Sequence, residues 1–310
     1  MTKSNKFSLE DLFKGDKVSI DIVRLIVNRM SVKKAKITCS INQYMNKKVC
    51  NDSFWLQYYE NMFLGPKPSQ FKDRDHEKLQ IEITDLFFYL LKHKKVKYAI
   101  IIYKKYKKYI DIARKKNKAI RLSSKNGYIE LVKLLLNDNR VNPDDDGGYI
   151  FEHSDDYSII PYLFQYPIIL ASRNNHADIV KLLLKDKRSD PAANNNQAIN
   201  LASELGYVDI VKLLLQDKRV NPAGASGWNT AIQGAAAEGH VDIVKLLLND
   251  PRVDPTAGDN YSFTIASQNG HVDIVKLLLN DPRVRNSLSK ADLKKVSSKK
   301  TKEEFKEIKQ

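Results

Sequence analysis

Cysteine is almost absent: Cys39 and Cys50 are the only two in 310 residues. Two cysteines build no disulfide framework, and without companion Cys or His pairs they spell no zinc site, so a reducing compartment is expected, cytoplasmic or else nuclear. Met1-Thr2-Lys3-Ser4-Asn5-Lys6-Phe7 lacks the apolar core of a secretory leader. The longest oily run, Tyr98 to Tyr103, is far too short for a bilayer, and no membrane partner is expected. Signatures of catalysis are lacking too. There is no phosphate-cradling glycine loop, nucleophile elbow or metal-ligand cluster, so no enzyme, cofactor or metal is implied. Of the six histidines, His176, His240 and His271 share one turn position at which Tyr128 and Tyr207 substitute. A position that accepts Tyr for His reads as structural.

What is present is repetition. Gly239-His240-Val241-Asp242-Ile243-Val244-Lys245-Leu246-Leu247-Leu248 recurs from Gly270, and looser copies lie upstream. Measured on the lysine of this core (Lys133, Lys181, Lys212, Lys245, Lys276), the intervals are 48, 31, 33 and 31. Before each core stands a second short apolar segment, such as Gln197-Ala198-Ile199-Asn200-Leu201-Ala202-Ser203, whose spacing marks one face of a short helix. Between the two stand Gly127, Asn175, Gly206, Gly239 and Gly270, residue types that tolerate the left-handed conformation closing a helix. Pro143, Pro191, Pro222 and Pro255 then turn the chain out of the second helix. Each unit reads as helix, turn, helix, finger. Asp209, Asp242 and Asp273 fall in the first turn of the second helix, where their charge suits the helix dipole.

These copies resemble ankyrin repeats, whose period is about 33 residues. The resemblance covers Asn117 to about Val284. It departs from the family where the usual Thr-Pro-Leu-His is replaced by Asn196-Gln197-Ala198-Ile199 or Asn229-Thr230-Ala231-Ile232. Without the hydroxyl-to-imidazole bonds that tie neighbouring ankyrin repeats, a more pliable stack is expected. The Asp-Pro-Arg-Val-Asp-Pro dialect, rich in Lys, Asn and Ile, is similar to that of ankyrin proteins of large DNA viruses of amoebae and of their hosts.

With 42% hydrophobic residues, a folded core is expected, and the length suits about two domains. The net charge of +15 is unevenly spread: residues 1–116 carry 26 Lys/Arg against 12 Asp/Glu, residues 117–284 carry 17 against 21, and residues 285–310 carry 9 against 4. An acidic array thus lies between basic flanks, and the basicity does not belong to the repeats.

Upstream, Ile20, Val23, Ile26 and Val27 form a helical stripe. Asn51 or Asp52 can cap a helix bearing Phe54, Trp55, Tyr58 and Tyr59. Residues 8–63 resemble a degenerate F-box, although its opening Leu-Pro is replaced by Ser8-Leu9-Glu10-Asp11-Leu12-Phe13. That resemblance implies recruitment of the small adaptor subunit of a cullin ubiquitin ligase, with Leu9, Leu12, Phe13, Ile22 and Ile26 as contacts. The alternative is a helical cap for the open end of the stack. Further on, Ile81 to Leu91 and Tyr98 to Ala113 read as two helices, which can be a worn repeat.

The fold expected is all-α, an ankyrin repeat solenoid preceded by a small helical bundle. Its parts are residues 1–64 (bundle), 65–116 (basic connector), 117–286 (five repeats, with an acidic insertion over 144–166) and 287–310 (basic tail). The function expected is non-catalytic protein recognition by a monomer. Candidate contacts at the finger tips are Asn194, Asn195, Asn196, Trp228, Asn229, Asp259, Asn260 and Tyr261, with Trp228 foremost as a rigid aromatic anchor. Candidates in the groove are Lys125, Arg173, Glu204, Glu238 and Gln268. Between Lys92 and Arg121 stand thirteen basic residues, with Tyr98, Tyr103, Tyr106 and Tyr109 interleaved, a pattern that can hold nucleic acid. The plainer reading makes the tyrosines a buried helix side and the lysines its solvated face.

Overall fold

Residues 76–146, 165–224 and 226–289, with Leu56 and Glu60, are described by the computed structural model. Every regular element among them is helical. Apart from Leu56 and Glu60, the bundle expected over residues 1–64, including Leu9, Leu12, Phe13, Ile22 and Ile26, lies outside the described residues. So do most of the acidic insertion and the tail beyond Ser289. The chain divides into two compact units, Met1–Asp111 and Ile112–Gln310.

In the first unit, α1 (His76–Lys92) and α2 (Val96–Tyr106) pair across a turn in which Lys94 is left-handed. Ile83, Leu86, Phe87 and Leu90 lie at helical spacing on α1 and are fully buried, as are Ala99 and Ile102 on α2. The helix expected to reach Ala113 stops at Tyr106 and passes through a single 3-10 turn, Lys107–Tyr109. The reason is tertiary. Ile110 adopts extended backbone and buries its side chain, and the next amide, Asp111 N–H, donates to the buried Thr84 hydroxyl at 2.9 Å. Tyr98, Tyr103 and Tyr106 are buried, with the Tyr103 ring 5.8 Å from that of Phe87, while Lys104, Lys105, Lys107 and Lys108 are exposed. Those rings offer no free face for stacking a base. The Tyr106 hydroxyl donates to Glu60 at 3.1 Å, and Lys105 Nζ pairs with the same carboxylate at 2.8 Å.

The second unit contains five helix pairs: α3 (Arg114–Lys125) with α4 (Ile129–Leu136), α5 (Pro167–Arg173) with α6 (Ala177–Lys185), α7 (Ala193–Glu204) with α8 (Val208–Leu215), α9 (Thr230–Ala237) with α10 (Val241–Leu248), and α11 (Ala257–Gln268) with α12 (Val272–Asn280). The first inner helix thus begins at Arg114, ahead of Asn117. Odd-numbered helices stack on one another as an inner layer and even-numbered ones as an outer layer. A short helix, α13 (Pro282–Ser287), follows, with Asp281 accepting the Arg283 N–H as its cap and Val284 buried.

Outer helices of eight residues, such as α8 and α10, are too short to persist alone. Stacking makes them stable. Each points Ile, Val and Leu at one core, as with Ile210, Val211 and Leu214, all at zero exposure. Inner helices approach through paired small residues: Ser123 and Ser124, Ala171 and Ser172, Ala202 and Ser203, Ala235 and Ala236, Ala266 and Ser267, all wholly buried. The hydroxyls of Ser124, Ser172, Ser203 and Ser267 find no hydrogen-bond partner there. The fourth repeat carries Ala236 at the same place. Ser203→Ala is therefore expected to raise stability by about 1 kcal/mol, because it removes an unpaired buried hydroxyl without opening a cavity. A denaturation midpoint that falls on this substitution would show that the hydroxyl is paired after all.

Candidate protein-recognition site

The entry to each inner helix is where a finger would present side chains, and at α7, α9 and α11 the backbone there is left-handed. Asn194, Asn195 and Asn196 have φ of 50, 57 and 59°, and Gly258, Asp259 and Asn260 have 65, 57 and 60°. Only Gly, Asn and Asp tolerate such a turn cheaply, which accounts for the runs Asn-Asn-Asn and Gly-Asp-Asn. Its last residue is buried: Asn196, Asn229 and Asn260 are 4%, 1% and 5% exposed. Asn196 Oδ1 accepts the Asn221 N–H at 2.7 Å, and Asn229 Oδ1 accepts the Asp254 N–H at 2.8 Å. Asn117 does the same for Asn142 N–H at 2.8 Å. In the last repeat the Ser287 hydroxyl donates to Asn260 Oδ1 at 2.7 Å, taking the place of a further finger. These asparagines are struts inside the array, which corrects the expectation that Asn196, Asn229 and Asn260 face a partner.

The remaining candidates there stay at the surface. Trp228 is 62% exposed and Tyr261 47% exposed. Asn195 and Asp259 are exposed, and Asn194 is half-buried. Trp228 and Asp259 stand one residue before the struts Asn229 and Asn260, so they hold the same place in successive repeats. Gly258 lies close to α9, since a methyl group on it would lie 3.4 Å from Gln233 Nε2 and 3.4 Å from Tyr261 Cβ.

At the other end of the inner helices, Lys125, Arg173, Glu204 and Gln268 are final helical residues, of which Arg173 is half-buried and the rest exposed. Glu238, also exposed, sits one place later, at the cap of α9, where Ala237 holds the matching position. Leu205, the corresponding cap of α7, is 41% exposed, a large apolar side chain that adds to the same face. Gly234 brings α7 and α9 close, because a methyl group there would sit 3.3 Å from Glu204 Cβ.

Two devices hold this face in register, and neither is the hydroxyl-imidazole bond expected of the family. In the first, the turn histidine reaches back one repeat. His176 Nε2 lies 3.1 Å from Lys125 O, His240 Nε2 2.9 Å from Glu204 O, and His271 Nε2 2.9 Å from Ala237 O. Each ring fills the space over the preceding turn glycine: Gly127, Gly206 or Gly239. In the second, an Asp-x-Arg unit clamps the repeats. Arg219 is held by Asp217 through Nε (3.0 Å) and Nη2 (2.7 Å), and donates to Ser189 O at 2.8 Å and Leu184 O at 2.9 Å in the preceding repeat. Arg188, Arg252 and Arg283 repeat the pattern on Val141 and Leu136, Val220 and Leu215, and Val253 and Leu248. The Arg hydrogen bond holds each of the carboxyls of Asp186, Asp217, Asp250 and Asp281 below the usual carboxylate range. The stack is braced at every step, so the pliability expected from the lost Thr-Pro-Leu-His bonds has a structural counterweight. The signal for it in the sequence is the recurrence of Asp two residues before Arg, part of the Asp-Pro-Arg-Val-Asp-Pro dialect.

The base of the acidic insertion is closed by Gln165 N–H donating to Asp146 O at 3.0 Å. Asp145 accepts from Asn117 Nδ2 at 2.9 Å, and Asp144 accepts the Asp190 N–H at 3.1 Å. Burial, followed by the nearby charges of Asp190, Asp146 and Asp145, pushes the Asp144 carboxyl up. Among the described residues no group of three or more His, Cys, Asp or Glu side chains is placed to hold a metal ion, and no helix is long and apolar enough to cross a membrane.

No curated protein matches the sequence. The family model described as "Ankyrin repeats (3 copies)" matches residues 125–223 and 219–288, more than half of the chain. Those residues contain four of the five helix pairs, the outer helix of the first, and the glycine turns described above. A protein-interaction module is what such repeats build, and the chain belongs to the ankyrin-repeat family.

Proposed function

We propose that this chain recognises a protein partner through the concave face formed by the inner helices and their entry turns, with Trp228 as the anchor. The observation that carries this reading is the 62% exposure of Trp228, held on a rigid turn whose next residue, Asn229, is locked into the array. A large aromatic fixed at the surface at low entropic cost is the usual form of a binding hot spot. Leu205 and Tyr261 extend the apolar area, and Lys125, Arg173, Glu204, Glu238 and Gln268 supply the polar remainder.

The amino-terminal resemblance to an F-box supports a finer version, in which the partner is presented to a cullin-type ubiquitin ligase in the cytosol or nucleus. Two measurements test the pair of claims. A photo-crosslinker placed at Trp228 in the full chain is expected to capture a cellular client, and Tyr261→Ala to reduce that capture severalfold. The full chain is expected to retain the purified ligase adaptor subunit, and Leu12→Ala with Phe13→Ala to release it. Client capture without adaptor retention would leave a scaffold or competitive inhibitor with no ligase link.

A further inference from the structure

The inner face changes sign along the stack. At its first end stand Lys125 and Arg173, whereas α7, α9 and α11 contain no Lys, Arg or His. The cations of repeats three to five lie outside those inner helices: in the outer helices, in the turn histidines, in the Asp-x-Arg clamps, and at Arg285 in α13. What the inner face does carry there is Glu204, Glu238 and Asp259, all exposed and with no ion pair of their own. The same three repeats hold three of the four large apolar side chains exposed among the described residues: Leu205, Trp228 and Tyr261.

Asp259 stands two residues before Tyr261 and shares its place in the repeat with Trp228. Stacked helices lie about 10 Å apart, so the two rings and this carboxylate occupy one patch. About 13–15 Å along the inner helices from it, nine or ten residues on, lie Glu204, Leu205 and Glu238. An uncompensated carboxylate in a patch that also presents aromatic rings attracts a cation twice over, by charge and by the ring quadrupole. We infer that repeats three to five take a partner segment carrying Lys or Arg beside apolar residues, with the cations on Asp259, Glu204 and Glu238 and the apolar groups on Trp228, Tyr261 and Leu205. Lys125 and Arg173 would repel that segment at the far end and so give it a direction.

This rests on the reading that the concave face binds protein, and the experiment separates the two. The probes are a labelled short peptide of alternating Arg and Leu and its Glu-for-Arg counterpart, followed by fluorescence anisotropy against the full chain. The Arg peptide is expected to bind more tightly than the Glu peptide, and less tightly as salt rises. Glu204→Lys with Glu238→Lys, and separately Trp228→Ala, are each expected to weaken it about three- to tenfold. Asp209→Lys, the same kind of charge change on an outer helix, is expected to leave it unaltered. Equal binding of both peptides, binding of neither, or equal sensitivity to Asp209→Lys overturns the assignment. If client crosslinking at Trp228 persists in that event, the groove reading stands and only the cationic partner falls.

Discussion

Gly239→Ala is expected to lower the stability of the repeat unit by about 2–3 kcal/mol, roughly twice the loss at Gly270→Ala. Both residues are left-handed, at φ of 81 and 78°, and a Cβ in that conformation costs about 1–2 kcal/mol at either site. They differ in what lies above them. A Cβ on Gly239 would come within 2.7 Å of His271 Cε1 and 2.8 Å of Nδ1, whereas a Cβ on Gly270, the last turn in the stack, would meet nothing within 4 Å. Making room at Gly239 displaces the imidazole and gives up its 2.9 Å bond to Ala237 O, worth about 1 kcal/mol more. Denaturant midpoints of the two variants decide the matter. Equal losses would mean that the ring does not lock the repeats. The pairing is also visible within the chain: His176, His240 and His271 each follow a repeat whose turn residue is Gly, while Tyr207 follows Asn175.

Arg219→Lys is expected to cost about 2 kcal/mol even though the charge is kept. The guanidinium spans two carbonyls of the preceding repeat while both oxygens of Asp217 grip it. One carbonyl, that of Leu184, belongs to the last turn of α6 and has no partner within the helix. A lysine gathers its three donors on one compact nitrogen in place of the planar fork, so it cannot reach both carbonyls and both oxygens of Asp217 at once. Hydrogen exchange should localise the loss to α6 and α8. Uniform exchange across all five repeats would argue that the clamp is dispensable.

The same clamps set the acid limit. Asp186, Asp217, Asp250 and Asp281 have folded pKa values below their unfolded ones, so their contribution is complete above about pH 4. It declines as pH falls through the depressed folded values. Asp144, raised by burial, acts in the opposite sense, since its protonation favours the folded state. Four clamps outweigh one such group, and melting temperature is expected to drop steeply below about pH 4. Asp217→Asn should make that drop shallower.

Some of this architecture was legible because it repeats within short windows. The apolar spacing of Ile210, Val211 and Leu214 announces a helix face within a few residues, and Gly206 announces its preceding turn. Periodicity therefore sufficed for the helix pairs and for the family resemblance. The contacts between repeats were hidden for a different reason. Arg219 finds its acceptors 30 and 35 residues upstream, and Asn229 finds its donor 25 residues downstream. Neither partner is adjacent in any local pattern. Composition also misled where one residue type serves two ends: Asn196 and Asn195 are neighbours in a polar run, yet one is buried as a strut and the other exposed. Turn chemistry and amphipathic period act between near neighbours, so the amino acids alone dictate a stack of helical repeats. Burial is a property of the assembled array, so which polar residues brace the stack and which, with Trp228, remain for a partner follows from the folded arrangement.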